Sequence, residues 1–294
     1  MVSEENKRGV PITEIYGSSI TCSLIRNPTY PLHGHREYEL ILIMEGGMTF
    51  IIGDRLHHAQ KGDLIFIGSE VLHGFVNDPN TEVLITGCAP EDVPQFTSVY
   101  NAAKVYSCIT HSCDRSAGFE SIVQSLLHDK SVMTNRVAMV GYLSLMMAPL
   151  ADILQKCPEE PLAKSSSLDR ALIFLGEHSA IGMSIDTLAQ EVKISKFYLS
   201  RQFNQKIGMS INTYLSLLQT NAVRRMLVQT DLPLCEISQR CGYTNMRSFD
   251  RDFQRIAGMS PREYRKTIKP TGITDYTTPF LRELMIKHYG MCSE

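Results

Sequence analysis

The chain contains no apolar run approaching the roughly 18 residues that a helix needs to cross a bilayer. Its longest such stretches, around Leu40–Met44, are strand-length, so no membrane span is expected. Residues Met1 to Gly9 carry Glu4, Glu5, Lys7 and Arg8 with no apolar segment behind them, which argues against a signal peptide. Eight cysteines (22, 88, 108, 113, 157, 235, 241 and 292) show neither CxxC nor zinc-finger spacing. Without an export signal they read as reduced thiols, and a cytoplasmic location is expected. Composition is unbiased: 43% hydrophobic and 20% charged residues exclude disordered, collagenous and coiled-coil classes.

What is present is unevenly distributed. A length of 294 residues predicts two domains, at about 100–200 residues each. The whole chain carries 29 basic and 31 acidic residues, but residues 165–270 hold 15 Lys/Arg against 9 Asp/Glu, net +6. The remainder, with 14 basic and 22 acidic residues, is net −8. One module is thus suited to meet a polyanion and the other is not.

The first hundred residues read as strands. Glu39–Met44, Met48–Ile52, Asp63–Ile67 and Glu82–Thr86 are short runs rich in β-branched and aromatic residues. Turn clusters at Glu45–Gly47, Gly53-Asp54, Lys61-Gly62 and Asn77–Asn80 separate them, as in a sandwich or barrel. Helical spacing then takes over. Phe119, Ile122, Val123, Leu126 and Leu127, followed by Val137, Val140, Leu143, Met147, Leu150 and Leu154, predict helices over 117–129 and 131–155. Their stripes, Leu126/Leu127 and Met139/Leu143/Met146/Met147/Leu150, would serve either packing on the barrel or pairing with a second chain. Lys156–Ser167, with two prolines and three serines, reads as a linker. The expected fold is α+β and multidomain: a β-barrel over 1–115, a helical pair over 116–156, a linker over 157–167, an all-α module over 168–268 and an extension over 269–294. Pro279–Tyr289 in that extension predicts a short amphipathic helix.

The basic module contains an approximate repeat, with copies about 50 residues apart. Ser184–Phe203 closes with Gly208-Met-Ser210, and Pro233–Phe253 closes with Gly258-Met-Ser260. Each copy has a short helix, a turn, and a second helix with an apolar-x-Arg-x-Phe pattern, Leu199/Arg201/Phe203 and Phe249/Arg251/Phe253. In the first copy Leu188, Val192, Leu199 and Phe203 close a core, and small Ala189 lets the helices cross. Ser195 is the expected N-cap of the second helix, leaving Lys196, Phe197, Ser200, Arg201 and Asn204 outward. In the second copy Gly242 supplies a left-handed turn residue, and Met246, Arg247, Ser248, Asp250 and Arg251 face outward. These are helix-turn-helix units whose second helices would enter successive major grooves of double-stranded DNA.

The chain resembles the AraC/XylS family of bacterial transcription regulators over about 168–267. The resemblance is strongest through Ile237, Gly242-Tyr243, Ser248-Phe249, Arg251, Phe253, Gly258, Ser260-Pro261 and Tyr264-Arg265. Tyr214, Leu227 and Thr230 also fit. The departures are Gln219, Val223, Ser238, and Lys193 where a glycine is common. The resemblance implies an effector-responsive regulator, more often an activator, that contacts RNA polymerase and pairs as a homodimer. It also implies that the effector is a small molecule, for which carbohydrate is the commonest guess.

The acidic half is similar to the two cupin motifs: His33-x-His35-x-x-x-Glu39 with Gly46, then Gly62, His73 and Asn77. Residues 33, 35 and 39 share parity, so on one strand they would share a face, with His73 approaching across the barrel. Three imidazoles and a carboxylate suit a divalent transition metal such as Fe, Mn, Ni or Zn. The same residues also suit the lining of a pocket for a small organic effector, with no metal bound. No catalysis is expected; a metal-dependent cupin enzyme and a metal-sensing regulator stand as alternatives.

Overall fold

The computed structural model describes residues 20–53, 55–103, 107–111, 118–129, 135–156, 166–178, 183–268, 274–275 and 278–291. Among the described residues, ten strands form two sheets. In chain order they are β1 (Thr21–Arg26), β2 (Tyr30–His33), β3 (Tyr38–Glu45), β4 (Gly47–Ile52), β5 (Arg55–Gln60), β6 (Leu64–Ile67), β7 (His73–Asn77), β8 (Glu82–Cys88), β9 (Ser107–Thr110) and β10 (Thr274–Asp275). The six-stranded sheet runs β10-β1-β8-β3-β6-β9 and the four-stranded sheet β2-β7-β4-β5. Every pairing is antiparallel except the one between β1 and β10.

Why β3 and β6 read as unbroken apolar runs is now plain: both faces are covered. Ile41, Ile43, Ile65 and Ile67 point to the core between the sheets, with Met48, Phe50 and Phe75 opposite. Leu40, Leu42, Leu64 and Phe66 point the other way, into a second core. That core is closed by α1 (Pro94–Ala103), α2 (Gly118–His128) and α3 (Arg136–Leu154). Leu126, Met139, Leu143, Met146, Met147 and Leu150 all lie in it. The stripes offered for chain pairing are therefore packed on the barrel. By length and composition α3 is long and apolar enough to cross a membrane, although Gly141, Ser144 and Pro149 interrupt its apolar run. Its buried face nonetheless sits in the barrel core.

The C-terminal half is helical: α4 (Ser167–Glu177), α5 (Ile185–Glu191), α6 (Lys196–Ile207), α7 (Ile211–Gln229), α8 (Leu234–Arg240), α9 (Met246–Ala257), α10 (Pro261–Ile268) and α11 (Pro279–Tyr289). Most of the expected linker lies outside the described residues, but its end belongs to α4. Ser166 caps that helix, accepting from the Asp169 N–H while Asp169 accepts from the Ser166 N–H. Long α7 joins the two units, with Tyr214 and Leu217 in the first core and Val223 and Leu227 in the second.

The two halves are docked. Leu32, Ile51 and Val76 of the barrel share one buried cluster with Leu168, Leu172 and Leu175 of α4. The Tyr214 hydroxyl donates to the Leu32 carbonyl at 3.3 Å. Closest of all is the contact between Gly34 and Gly176, where a Cβ on Gly176 would lie 2.0 Å from the Gly34 carbonyl oxygen.

Candidate nucleic-acid interface and effector cavity

Each helix-turn-helix unit is built from a buried face and an end signal. In the first, Leu188, Ala189, Val192, Leu199 and Phe203 are all buried. The turn passes through Lys193 at φ +57°, the left-handed position that Gly242 takes at φ +82° in the second unit. Ser195 Oγ accepts from the Tyr198 N–H at 3.2 Å and starts α6. Asn245 Oδ1 accepts from the Ser248 N–H at 2.8 Å and starts α9.

The outward faces hold most of the expected residues. Lys196, Phe197, Arg201, Asn204, Arg247, Asp250 and Arg251 are exposed, while Ser200 and Ser248 are half-buried. Met246 is a partial correction, because it packs against the core of its own unit. Lys196 pairs with Asp186 at 2.9 Å, and Arg251 Nε donates to Asp252 at 3.1 Å. Phe197 is 79% exposed, an unusual cost for an aromatic ring at the tip of a helix unless something covers it. Sequence reading missed Tyr198 beside it, which is 53% exposed and was hidden by its place next to core Leu199.

A cavity of about 320 Å³ opens where the barrel meets α4 and α7. Tyr30, His33, His35, Glu39 and Phe75 line it from the barrel; Gln219, Asn221 and Arg225 line it from α7. The α7 contribution had no signal in the sequence, since only docking brings it there.

At the cavity's inner end His33, His35, Glu39 and His73 converge, with one ligand atom from each lying within 4.8 Å of the others. They do not share a strand face as the parity argument expected. β2 ends at His33, residues 34–37 form an irregular connection with a bend at 36–37, and β3 starts at Tyr38. His35 lies in that connection and not on a pleat, with its Nδ1 tied to the Glu37 carbonyl. The Nδ1 atoms of His33, His35 and His73 engage the carbonyls of Pro31, Glu37 and Val71 at 3.0, 3.0 and 2.9 Å. Each ring is thereby tethered through Nδ1, and the Nε2 atoms of His35 and His73 face Glu39. Glu39 Oε2 and His73 Nε2 are 2.9 Å apart but not aligned for a hydrogen bond, and both are buried. Burial, and then the neighbouring imidazoles of His73 and His35, hold His33 well below the usual histidine range. Burial alone would raise the Glu39 pKa, but facing His35 and His73 outweigh it and hold the carboxyl well below its usual range.

The chain matches the AraC-like ligand binding domain family over residues 22–131 and a helix-turn-helix domain family over 188–267. The HTH-type transcriptional activator RhaR of Klebsiella pneumoniae is 25% identical over 262 residues, covering 80% of this chain and 86% of that protein. RhaR of Escherichia coli is 25% identical over 244 residues. Among solved structures, the apo form of a ToxT point variant from Vibrio cholerae aligns at a TM-score of 0.55 and 10% identity, covering 85% of this chain and 98% of that one. That likeness shows a shared fold. The chain joins an AraC-like ligand-binding domain to an AraC-type helix-turn-helix domain and is homologous to the RhaR activators.

With those two domains it is an effector-controlled, DNA-binding transcription regulator. The matched ligand-binding region contains the whole histidine cluster, and the matched helix-turn-helix region contains both outward helices. The C-terminal extension lies beyond both.

Proposed function

We propose that this regulator is a transcriptional activator, as its curated relatives are named, acting in the cytoplasm on double-stranded DNA. Helices α6 and α9 are its recognition helices. Lys196, Phe197, Ser200, Arg201 and Asn204 of the first, and Met246, Arg247, Ser248, Asp250 and Arg251 of the second, make up the reading surface. The observation that carries this is the repetition: two capped helices in one chain present exposed arginines at equivalent positions, Arg201 and Arg251. Each can be bidentate to a guanine edge. Replacing Arg247 or Arg251 by Ala is expected to cost about 1–3 kcal/mol of specific binding. Fluorescence anisotropy on a duplex selected from a random pool measures this, and wild-type affinity in both variants would sink the assignment. Affinity should also fall steeply with salt.

The effector is a small molecule held in the cavity between the barrel and α7. Its inner end fits a divalent transition metal. The three backbone-tethered imidazoles and Glu39 supply nitrogen and oxygen ligands, with the carbonyls fixing each ring's tautomer. Bound there, a metal would act as a Lewis acid toward a ligand entering from the open side. The reading is of sensing and not of turnover. Native mass spectrometry of the full chain beside His33→Ala/His73→Ala tests the metal: a one-to-one metal mass lost in the variant supports it, and a metal-free wild type returns the cluster to pocket lining. Contact with RNA polymerase and pairing of two chains enter from the family resemblance. Pairing through α3 would have to use its outer side, where Val137 is 82% exposed.

A further inference from the structure

The C-terminal extension touches every working part of the molecule. β10 pairs with β1 through Ile25↔Thr274 and Arg26↔Asp275. Tyr264 of α10 donates its hydroxyl to the Asp275 carbonyl at 2.6 Å. Arg224, buried in α7, donates to Thr278 Oγ1 at 3.0 Å. Arg282 Nε donates to the carbonyl of Asn77, at the end of β7, at 3.2 Å.

The far end of the extension closes on α6. The Tyr289 hydroxyl donates to the Lys206 carbonyl at 2.7 Å, and His288 Nε2 lies 3.1 Å from the same oxygen. That carbonyl belongs to the last turn of a helix, where oxygens have no partner inside the helix. The next turn residue, Gly208, sits at φ +76°, and the His288 ring fills the space where a Cβ would come 2.8 Å from its Cγ. Leu281, Met285 and Met291 are buried in one cluster with Phe203 and Ile207 of α6 and Ile256 of α9. Both recognition helices therefore rest on α11.

Two readers in one chain discriminate sequence only when their spacing and rotation match two successive major grooves. Attraction to phosphates has no such requirement, since it follows from charge alone. Alongside α7, which packs into both unit cores and bonds to Leu32, α11 spans both recognition helices and the barrel. We propose that the extension is a clasp that positions α6 and α9 relative to one another and so sets the sequence specificity of DNA binding. Its side chains are positioning residues, acting through those helices. It is also tied to the effector cavity: Thr29, on the cavity wall, donates to Asn77 Oδ1 at 2.6 Å, and Asn77 holds Arg282. A ligand that moves the wall moves the clasp.

The inference rests on reading α6 and α9 as the recognition helices, and the test separates the two. The full chain, His288→Ala/Tyr289→Phe, Arg282→Ala and Arg251→Ala are compared on a duplex selected by the unaltered chain and on a scrambled duplex of equal length. The His288/Tyr289 variant should lose about tenfold on the selected duplex, as when base contacts fall out of register. Its affinity for the scrambled duplex should stay within about twofold, because no Lys or Arg is removed. His288→Gln/Tyr289→Phe, which restores one N–H donor, should recover part of the loss. Unchanged discrimination in both clasp variants overturns the proposal, as does an equal loss on both duplexes. If Arg251→Ala also binds like the unaltered chain, the recognition-helix reading falls with it; if Arg251→Ala loses affinity, the clasp alone fails.

Discussion

A single backbone angle separates the turns of the two helix-turn-helix units. Gly242 reaches φ +82° without steric cost, whereas Lys193 holds φ +57° with a Cβ crowding the following carbonyl. Lys193 is exposed, so no packing contact compensates. Lys193→Gly is expected to stabilise the chain by about 0.5–1 kcal/mol, the left-handed penalty less the glycine entropy; a lower thermal midpoint would show that the strain is relieved elsewhere. A second residue sets an acid limit. Burial alone would raise the Asp169 pKa, but its bonds to the Ser166 N–H and Lys206 prevail and hold it below the ordinary 3.8. For a carboxyl depressed in the folded state, the stabilisation is complete above the unfolded value and lost as pH falls through the folded one. Asp169→Asn should therefore cost about 1 kcal/mol at neutral pH and flatten the acid limb below about pH 4, as read from urea midpoints at both ends. At this scale the chemistry was legible and the geometry was not. His33, His35, Glu39 and His73 could be grouped from their types and spacing, yet the parity that grouped them belongs to a strand that the chain does not form there. His35 sits instead in the irregular connection 34–37, tied to the Glu37 carbonyl.

Elements announce themselves where one physical signal dominates. The twice-used Gly-Met-Ser is a helix stop, a core anchor and a helix start in three residues. Gly208 and Gly258 take φ +76° and +74° at the ends of α6 and α9. Met209 is buried, and Ser210 and Ser260 accept from the N–H groups of Thr213 and Glu263. Removing the caps of the recognition helices should matter more than removing a contact on their flanks, because the first turn is what reaches the groove. Ser195→Ala and Asn245→Ala are each expected to cost about 1 kcal/mol of stability and to weaken specific DNA binding further; thermal melts and anisotropy together check this, and wild-type values in both would show the caps to be redundant. Strands buried on both faces, β3 and β6, were equally easy to read. β5 was not, since Arg55-Leu-His-His-Ala-Gln lies at a sheet edge, mostly exposed, and its pairing with β4 leaves no apolar period. β2 and β7 were missed because their four or five residues mix His, Gly, Pro and Asn with apolar ones. Leu32 and Val76 in them are buried by the docked helices, which no local pattern encodes.

At the scale of the molecule, the number and order of modules could be read from composition and period, but their docking could not. Leu32, Val76, Leu172 and Leu175 are ordinary core residues whose partners lie on the other half of the chain. The loop that bears the cavity histidines is itself the docking surface, with Gly34 between His33 and His35 and pressed against Gly176 of α4. Backbone meets backbone there, and no rotamer can absorb a larger group. A methyl on Gly176, 2.0 Å from the Gly34 carbonyl oxygen, can be accommodated only by separating α4 from the barrel. Gly176 lies in the last turn of α4, away from both recognition faces, and alanine favours a helix over glycine. Gly176→Ala should therefore leave each module folded while weakening the joint between them by about 1–3 kcal/mol, the usual cost of overpacking. Calorimetry would show this as one cooperative transition separating into two, with far-UV dichroism unchanged and affinity for a scrambled duplex retained. A single transition at the original midpoint would mean that the two glycines can part without loosening the dock, and that the cavity loop reports to the DNA-binding module by another route.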